Sequence, residues 1–138
     1  MNKSFTILFV GSGELPKNSN MRERLTRLCT DFIRYNKKVG FIVDRHSEFG
    51  SLALTAIGQA RNSLPADASA VTCDKLADTD CERIRKAVAS CDLCIFCVGD
   101  KSDLFDATVG HAERLGKRYI NMIYRESNRF IRQSSENC

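Results

Sequence analysis

Apolar residues follow two different spacings along the chain, and segments of the two kinds alternate. The segments 5–10 and 93–98 are apolar throughout, which is typical of strands that are covered on both faces of a sheet. Between such runs, apolar residues recur every three or four positions and predict amphipathic helices. In chain order, strands are predicted at 5–10, 39–43, 69–73, 93–98 and 119–123, and helices at 21–33, 48–60, 80–89 and 104–115.

Strict alternation of strands and helices predicts an α/β fold. We expect a single Rossmann-like three-layer domain with a five-stranded, mainly parallel sheet over residues 1–124, followed by a polar tail, 125–138, that could form a short helix. The length of 138 residues fits one domain. Helix ends are predicted at Ser47, which can cap the second helix, at Asp78 or Thr79, which can cap the third, and at Gly116, which can end the fourth.

The composition is that of a globular protein: 43% of the residues are hydrophobic and 28% are charged. No apolar run approaches the roughly 18 residues of a membrane span, so no membrane partner is expected. The N-terminal apolar stretch lacks a small-residue cleavage site, so no signal peptide is expected. We therefore expect a cytoplasmic protein.

Seven cysteines, an odd number, are an argument against a disulfide scaffold and for reduced thiols. Cys91, Cys94 and Cys97 form a C-x2-C-x2-C run, a spacing also found in metal ligands. Cys94 and Cys97 fall inside a predicted strand and should point to opposite faces of it, because their separation is odd. Buried thiols are therefore the preferred interpretation, and neither a metal ion nor a resident cofactor is predicted.

Basic residues are concentrated in two segments, although the net charge is only +4. Residues 22–38 contain six basic side chains, and residues 114–132 contain six more. Such segments could attract phosphates, but solvated helix faces are the simpler interpretation. Nucleic acid is thus a conceivable partner that the sequence does not favour.

A ligand site is predicted at the carboxyl ends of the strands, where the strand order of an open α/β sheet reverses. If the first strand is central and adjoins the fourth, the loops that follow these two strands meet there. The first loop offers glycine backbone amides and a hydroxyl to a phosphate or ribose. Asp44, which ends the second strand, either holds a ribose hydroxyl or is a surface turn acid. The candidate ligand-binding residues are Gly11, Ser12, Gly13, Asp44, Arg45, Gly99, Asp100, Lys101 and Ser102.

Gly11-Ser12 ends the first predicted strand, Gly50 and Gly58-Gln59-Ala60 lie in the second predicted helix, and Arg83 or Arg85 precedes the fourth predicted strand. In these motifs, and in the order of its elements from residue 6 to about 124, the chain resembles the SLOG superfamily, which joins the Lonely Guy-type nucleotide phosphoribohydrolases and the DNA-processing protein A domain. Gly11-Ser12 is similar to the Gly-Ser that ends their first strand, and the glycine-containing segment to their second helix. Arg83 or Arg85 is similar to the arginine that precedes the fourth strand of the phosphoribohydrolases, whose P-G-G-x-G-T-x-x-E motif is absent here.

A second set of motifs comprises Cys91-Asp92-Leu93, Val109-Gly110-His111-Ala112 and Gly116-Lys117. In these motifs the chain also resembles the nucleoside 2-deoxyribosyltransferases. Thr108 stands where those enzymes have their catalytic glutamate. Asp103 or Asp106 could replace it as the carboxylate that stabilises an oxocarbenium-like state, or both could be acids favoured by a helix N-terminus. The two resemblances together imply a Rossmann-like fold and a nucleotide-like ligand.

The sequence thus predicts a small domain that binds a nucleotide or a nucleoside derivative between the ends of the first and fourth strands. One alternative is a hydrolase or transferase that acts on N-glycosidic bonds through Asp103 or Asp106. Another is a nucleic-acid-binding or protein-interaction module. A homodimer is compatible with each of these.

Overall fold

The computed structural model describes residues 4–11, 20–44, 47–65, 70–76, 80–99 and 103–122. Five strands are formed: β1 (Phe5–Gly11), β2 (Lys38–Asp44), β3 (Ala70–Leu76), β4 (Leu93–Cys97) and β5 (Tyr119–Asn121). Three helices separate the first four strands: α1 (Met21–Tyr35), α2 (Glu48–Asn62) and α3 (Cys81–Ser90). A fourth helix, over 103–114, consists of α4 (Asp103–Phe105), a π-helical turn (Asp106–Gly110) and α5 (His111–Arg114).

All five strands are parallel and lie in the order β3-β2-β1-β4-β5. The chain first builds the sheet outward from β1 through β2 to β3, and then returns to add β4 on the other side of β1. The α/β fold class, the five strands and the central position of β1 beside β4 are therefore confirmed. The sheet is wholly rather than mainly parallel.

Each face of the sheet is covered by a separate pair of helices. Ile7, Phe9 and Ile95 pack in a core with α1 and α2. Leu8 and Phe96 pack in a second core with α3 and the fourth helix. Because successive residues of a strand point to opposite faces, strands between two helix layers must be apolar throughout. This explains the two uninterrupted apolar runs in the sequence.

The predicted helix ends are confirmed at two places and wrong at one. Ser47 Oγ accepts a hydrogen bond of 2.9 Å from the Gly50 amide, as expected of an N-cap. Gly116 has a φ of 67° and ends the fourth helix. The cap of α3 is Asp80, whose Oδ1 accepts a bond of 2.8 Å from the Glu82 amide, and not Asp78 or Thr79. Those two residues lie outside the described part of the chain.

The fourth helix departs from the regular helix that the apolar spacing predicts. Its middle turn is π-helical, and the His111 amide donates to the carbonyl oxygen of Asp106, five residues earlier. The same carbonyl accepts a second bond of 3.3 Å from the Arg114 guanidinium, which helps to hold the wide turn. Apolar periodicity carries no information about one extra residue within a turn, so the sequence could not reveal it.

The predicted polar tail, 125–138, lies outside the described residues. Within the described part of the chain, no helix has both the length and the apolar character needed to cross a membrane.

Candidate functional site

The carboxyl ends of β1, β2 and β4 meet at one edge of the sheet, as the sequence predicts for a ligand site. Gly11 ends β1 and pairs in register with Cys97, the last residue of β4. Asp44 ends β2, and Gly99 lies two residues beyond β4. Three of the nine candidate ligand-binding residues thus share this edge. The other six, Ser12, Gly13, Arg45, Asp100, Lys101 and Ser102, lie outside the described residues.

Glycine at position 11 is required by packing. A Cβ atom built on Gly11 would lie only 2.4 Å from the Cβ atom of Phe49, at the start of α2. The Phe49 ring in turn packs against Phe9, with 6.2 Å between ring centroids. The start of α2 therefore rests directly on the end of β1. Gly99 differs, since no described atom lies within 4 Å of a Cβ atom built there.

Asp44 is buried, with only 2% of its surface exposed, so its interpretation as a surface turn acid is wrong. Its carbonyl oxygen would lie 1.5 Å from a Cβ atom built on Gly50. The glycine of α2 therefore lets the first turn of the helix approach the end of β2. This close approach buries Asp44 beneath the helix start, and periodicity alone could not predict it.

The Asn121 side chain holds the backbone of the residue that follows β4. Its Oδ1 accepts a hydrogen bond of 3.1 Å from the Val98 amide, and its Nδ2 donates one of 3.0 Å to the Val98 carbonyl. The side chain thus pairs with both backbone groups of the residue that follows β4, just before Gly99. The sequence alone indicates no role for this residue, because an asparagine in a short strand resembles any turn-forming asparagine.

The N-terminus of α1 lies beside the same edge and brings a positive charge with it. The Arg24 guanidinium, which is half-buried, is close enough to Cys97 at the end of β4 to act on its thiol electrostatically. Burial raises the pKa of Cys97 to about 11, and Arg24 opposes part of that rise. Among the described residues, no carboxylate forms an ion pair with Arg24. In the sequence, Arg24 is distinguished only as one member of the basic segment 22–38.

The two candidate catalytic carboxylates have different surroundings. Asp103 is exposed and begins α4, the first helical residue after β4. Asp106 pairs with Arg114, with 3.2 Å between Oδ1 and Nη1, and lies 3.9 Å from Arg85 of α3. Asp103 therefore stands nearer to the exit of β4, whereas Asp106 joins the fourth helix to α3.

Thr108, which departs from the transferase pattern, and Asp92, which matches it, both have structural roles here. Thr108 is fully buried, and its Oγ1 donates a bond of 2.7 Å to the Leu104 carbonyl. Asp92 accepts a bond of 2.8 Å from the Thr6 amide through Oδ2, at the opposite end of the strands from the candidate site. Neither side chain lies where a ligand at the predicted site would reach it.

The expectation of buried thiols is confirmed for Cys29, Cys91, Cys94 and Cys97, whereas Cys73 and Cys81 are only half-buried. Cys94 and Cys97 face the two different cores, as the strand spacing predicts. Within the described residues, no three histidine, cysteine, aspartate or glutamate side chains come together as metal ligands would. Cys138 lies outside those residues.

No model of a known protein family matches the chain, and no curated protein matches it. The strand order 3-2-1-4-5 and the parallel pairing define the class of the protein as a Rossmann-like α/β domain. The resemblances to the SLOG superfamily and to the nucleoside 2-deoxyribosyltransferases stay predictions.

Proposed function

We propose that the protein binds a nucleotide or a nucleoside derivative at the edge where β1 and β4 end. The observation that carries this proposal is the reversal of strand order between β1 and β4. At such a reversal the following helices leave on opposite faces of the sheet, so a crevice opens between the two loops. Here α1 follows β1 on one face, and the fourth helix follows β4 on the other.

The phosphate of the ligand would lie at the N-terminus of α1. The first amides of a helix point outward and carry a partial positive charge, which favours an anion. In the described structure, the side chain of the N-cap residue Asn20 makes no capping hydrogen bond to these amides. Arg24, one turn further along α1, would add a full positive charge and a planar set of donors suited to phosphate oxygens.

The remaining groups of the ligand would contact the loops that follow β1, β2 and β4. These loops contain hydroxyl, amide, carboxylate and cationic groups, from Ser12, Gly13, Arg45, Asp100, Lys101 and Ser102. Asn121 would act indirectly, because it fixes the backbone of Val98 and so the direction in which the chain enters the second loop.

The proposal can be tested by thermal-shift measurements against a panel of nucleosides, nucleotides, dinucleotides and cyclic nucleotides. A ligand present at 100 times its Kd should stabilise the folded protein by about 2.7 kcal/mol. Arg24→Ala should weaken the binding of phosphorylated ligands. Arg27→Ala, which removes an exposed arginine one turn later on the same helix, should not.

A glycine variant supplies a second test of position. Gly99→Val adds a side chain at the exit of β4, where no described atom lies within 4 Å, and should weaken binding without unfolding the protein. Gly11→Val is unsuitable because it would displace Phe49. An affinity that neither Arg24→Ala nor Gly99→Val changes would contradict a ligand site at the edge where β1 and β4 end. A folded protein that responds to none of the compounds would favour an interaction module instead.

The exposure of Asp103 beside the exit of β4 supports a second candidate function, the hydrolysis or transfer of an N-glycosidic bond. A carboxylate placed near the anomeric carbon can stabilise or capture the oxocarbenium-like state of such a reaction. Turnover of a bound nucleoside derivative should then be lost in Asp103→Asn. Loss in Asp106→Asn instead would assign the role to the carboxylate that pairs with Arg114.

A further inference from the structure

Two buried thiols face each other at the end of β4 that lies opposite to the candidate ligand site. Cys91 follows the last residue of α3, and Cys94 is the second residue of β4. Their Sγ atoms are 3.1 Å apart, and both residues are fully buried. The sequence predicts only that they are buried thiols within the C-x2-C-x2-C run.

The contact depends on a sharp bend that is anchored to β1. Three residues of extended chain would separate the two cysteines widely, but the chain bends at Asp92, between them. The Asp92 amide donates to the Thr6 carbonyl, and its carboxylate accepts from the Thr6 amide, each over 2.8 Å. These two bonds hold the bend, and with it the two sulfur atoms, in place.

The distance between the sulfur atoms favours disulfide formation over metal binding. Two thiolates on a tetrahedral zinc ion, each about 2.3 Å from the metal, stand roughly 3.7 Å apart. A disulfide requires a separation of about 2.05 Å, so these sulfurs would need to approach by about 1 Å. No third metal ligand accompanies them among the described residues.

A lysine places positive charge beside the pair. Lys117 Nζ donates to the Cys91 carbonyl over 2.6 Å and to the Ala89 carbonyl over 3.1 Å, at the C-terminus of α3. Its position is fixed by the turn at Gly116, in which the Lys117 amide donates to the Ala112 carbonyl and the Gly116 amide to that of Glu113.

These contacts make the two thiols unequal. The hydrogen bond between the two sulfur atoms, with help from Lys117, lowers the pKa of Cys91 against the effect of burial, while the same bond and burial raise the pKa of Cys94. The Cys91 thiol also lies 3.3 Å from the Val88 carbonyl, to which it donates while it is protonated. The thiolate is the nucleophile in sulfur chemistry, so Cys91 is the attacking group and Cys94 the resolving one.

We propose that Cys91 and Cys94 are a site of oxidation by hydrogen peroxide, which closes them into a disulfide within the folded protein. The Cys91 thiolate attacks one peroxide oxygen, an S–O bond forms, the O–O bond breaks, and the released hydroxide takes up a proton. Cys94 then gives up its proton and attacks the Cys91 sulfur, whose hydroxyl leaves and is protonated to water. Two thiols are oxidised by two electrons in total, and one peroxide is reduced to two waters. The site is independent of the proposed ligand site.

The experiment follows one tryptic peptide. Cleavage after Lys86 and Lys101 releases residues 87–101, which contain Cys91, Cys94 and Cys97 together. The folded protein is treated with hydrogen peroxide, unfolded, alkylated and digested, and the peptide is measured without reduction. We expect it to lose two hydrogen atoms and to keep one alkylated cysteine, Cys97.

Cysteine variants identify the bonded pair. Cys97→Ser is the matched control. Its peptide should still lose two hydrogen atoms on treatment with peroxide, because Cys97 faces the other core. Cys91→Ser should abolish this loss, and Cys94→Ser should instead leave a sulfenic acid on Cys91 that a dione reagent traps. Lys117→Met should slow the oxidation by about threefold for each unit by which the pKa of Cys91 rises, because the higher nucleophilicity of the thiolate offsets part of the loss in thiolate population. Lys75→Met should not slow it.

Three results would overturn the proposal. The first is a wild-type peptide that keeps three alkylated cysteines after a peroxide dose that oxidises the half-buried Cys81. The second is a bond that disappears in Cys97→Ser. The third is a bond that forms only when peroxide is added in urea. If a variant at Cys91 or Cys94 fails to fold by circular dichroism, the results for the wild type and Cys97→Ser decide the question.

Discussion

The side-chain amide of Asn121, the last residue of β5, hydrogen-bonds both backbone groups of Val98, so that a side chain continues the pairing of β5 with β4 by one residue beyond Cys97. A strand partner normally offers this pair of bonds from its backbone. The asparagine thus holds the backbone of the residue that precedes Gly99 of the candidate ligand site.

Removal of the Asn121 amide should therefore destabilise the sheet edge. Asn121→Ala leaves the Val98 amide and carbonyl without their side-chain partner, and we expect a loss of about 1–3 kcal/mol in the free energy of unfolding. Urea denaturation followed by circular dichroism measures this loss. Asn62→Ala, at the exposed end of α2, should change it by less than about 0.5 kcal/mol. Equal effects of the two variants would argue against the role of Asn121.

The two glycines of α2 should respond to alanine in opposite directions. Gly50→Ala places a Cβ atom on the Asp44 carbonyl oxygen and should cost about 3 kcal/mol or more, because the helix start must move away from β2. Gly58→Ala adds a methyl group in open space within the same helix and should stabilise the protein by about 0.5–1 kcal/mol. Thermal unfolding of the two variants gives both signs. A tolerated Gly50→Ala would contradict the close approach of α2 to β2.

Glutamate at position 108 should not restore a transferase-type site. Thr108 is fully buried, and a carboxylate there would enter the apolar core between the sheet and the fourth helix. We expect Thr108→Glu to lose at least about 3 kcal/mol in the free energy of unfolding. Thr108→Val keeps the shape and should lose about 1 kcal/mol. A stable Thr108→Glu protein would show that this side chain can reach solvent.

The buried thiols should make stability fall at alkaline pH. Burial raises the pKa of Cys29 to about 12 and that of Cys97 to about 11, from an ordinary value of 9.0. Above about pH 9 the unfolded chain releases these protons while the folded protein keeps them, so the unfolded state gains stability. Each thiol should lower the free energy of unfolding by about 1.4 kcal/mol per pH unit until its folded pKa is reached.

Urea denaturation at several pH values between about 9 and 11 measures that slope. Cys97→Ala should reduce the slope by the share of one thiol, and Thr55→Ala, which removes no thiol, should keep it. An unchanged slope in Cys97→Ala would mean that the thiol titrates alike in both states.

Most of the fold could be predicted because its signals are local. The apolar runs at 5–10 and 93–98 define the two central strands, and Ser47 and Gly116 bound helices through bonds to residues at most five positions away. The π-helical turn and the cap at Asp80 could not be predicted, because one residue more or less changes the apolar spacing very little.

The sequence predicted which edge of the sheet holds the candidate site, but not how the side chains are arranged there. The position of Gly11, Asp44 and Gly99 follows from topology, since the carboxyl ends of parallel strands share an edge. The contribution of Arg24 required knowing that α1 begins beside β4, which lies more than 60 residues away in the chain. The burial of Asp44 likewise depends on the approach of α2 to β2, which is set by three-dimensional packing.

The π-helical turn makes the number of residues in the fourth helix a structural constraint. One extra residue rotates everything on one side of the turn by about 100° relative to a regular helix. Asp103 lies near the end of β4, and Ala112 lies in the core. Their side chains therefore keep their present orientations only while Asp106–Gly110 retains its length. Loss of a single residue there would rotate either Asp103 away from the end of β4 or Ala112 out of the core. Among relatives of this chain, length in this segment should thus be kept more strictly than the identity of its exposed side chains.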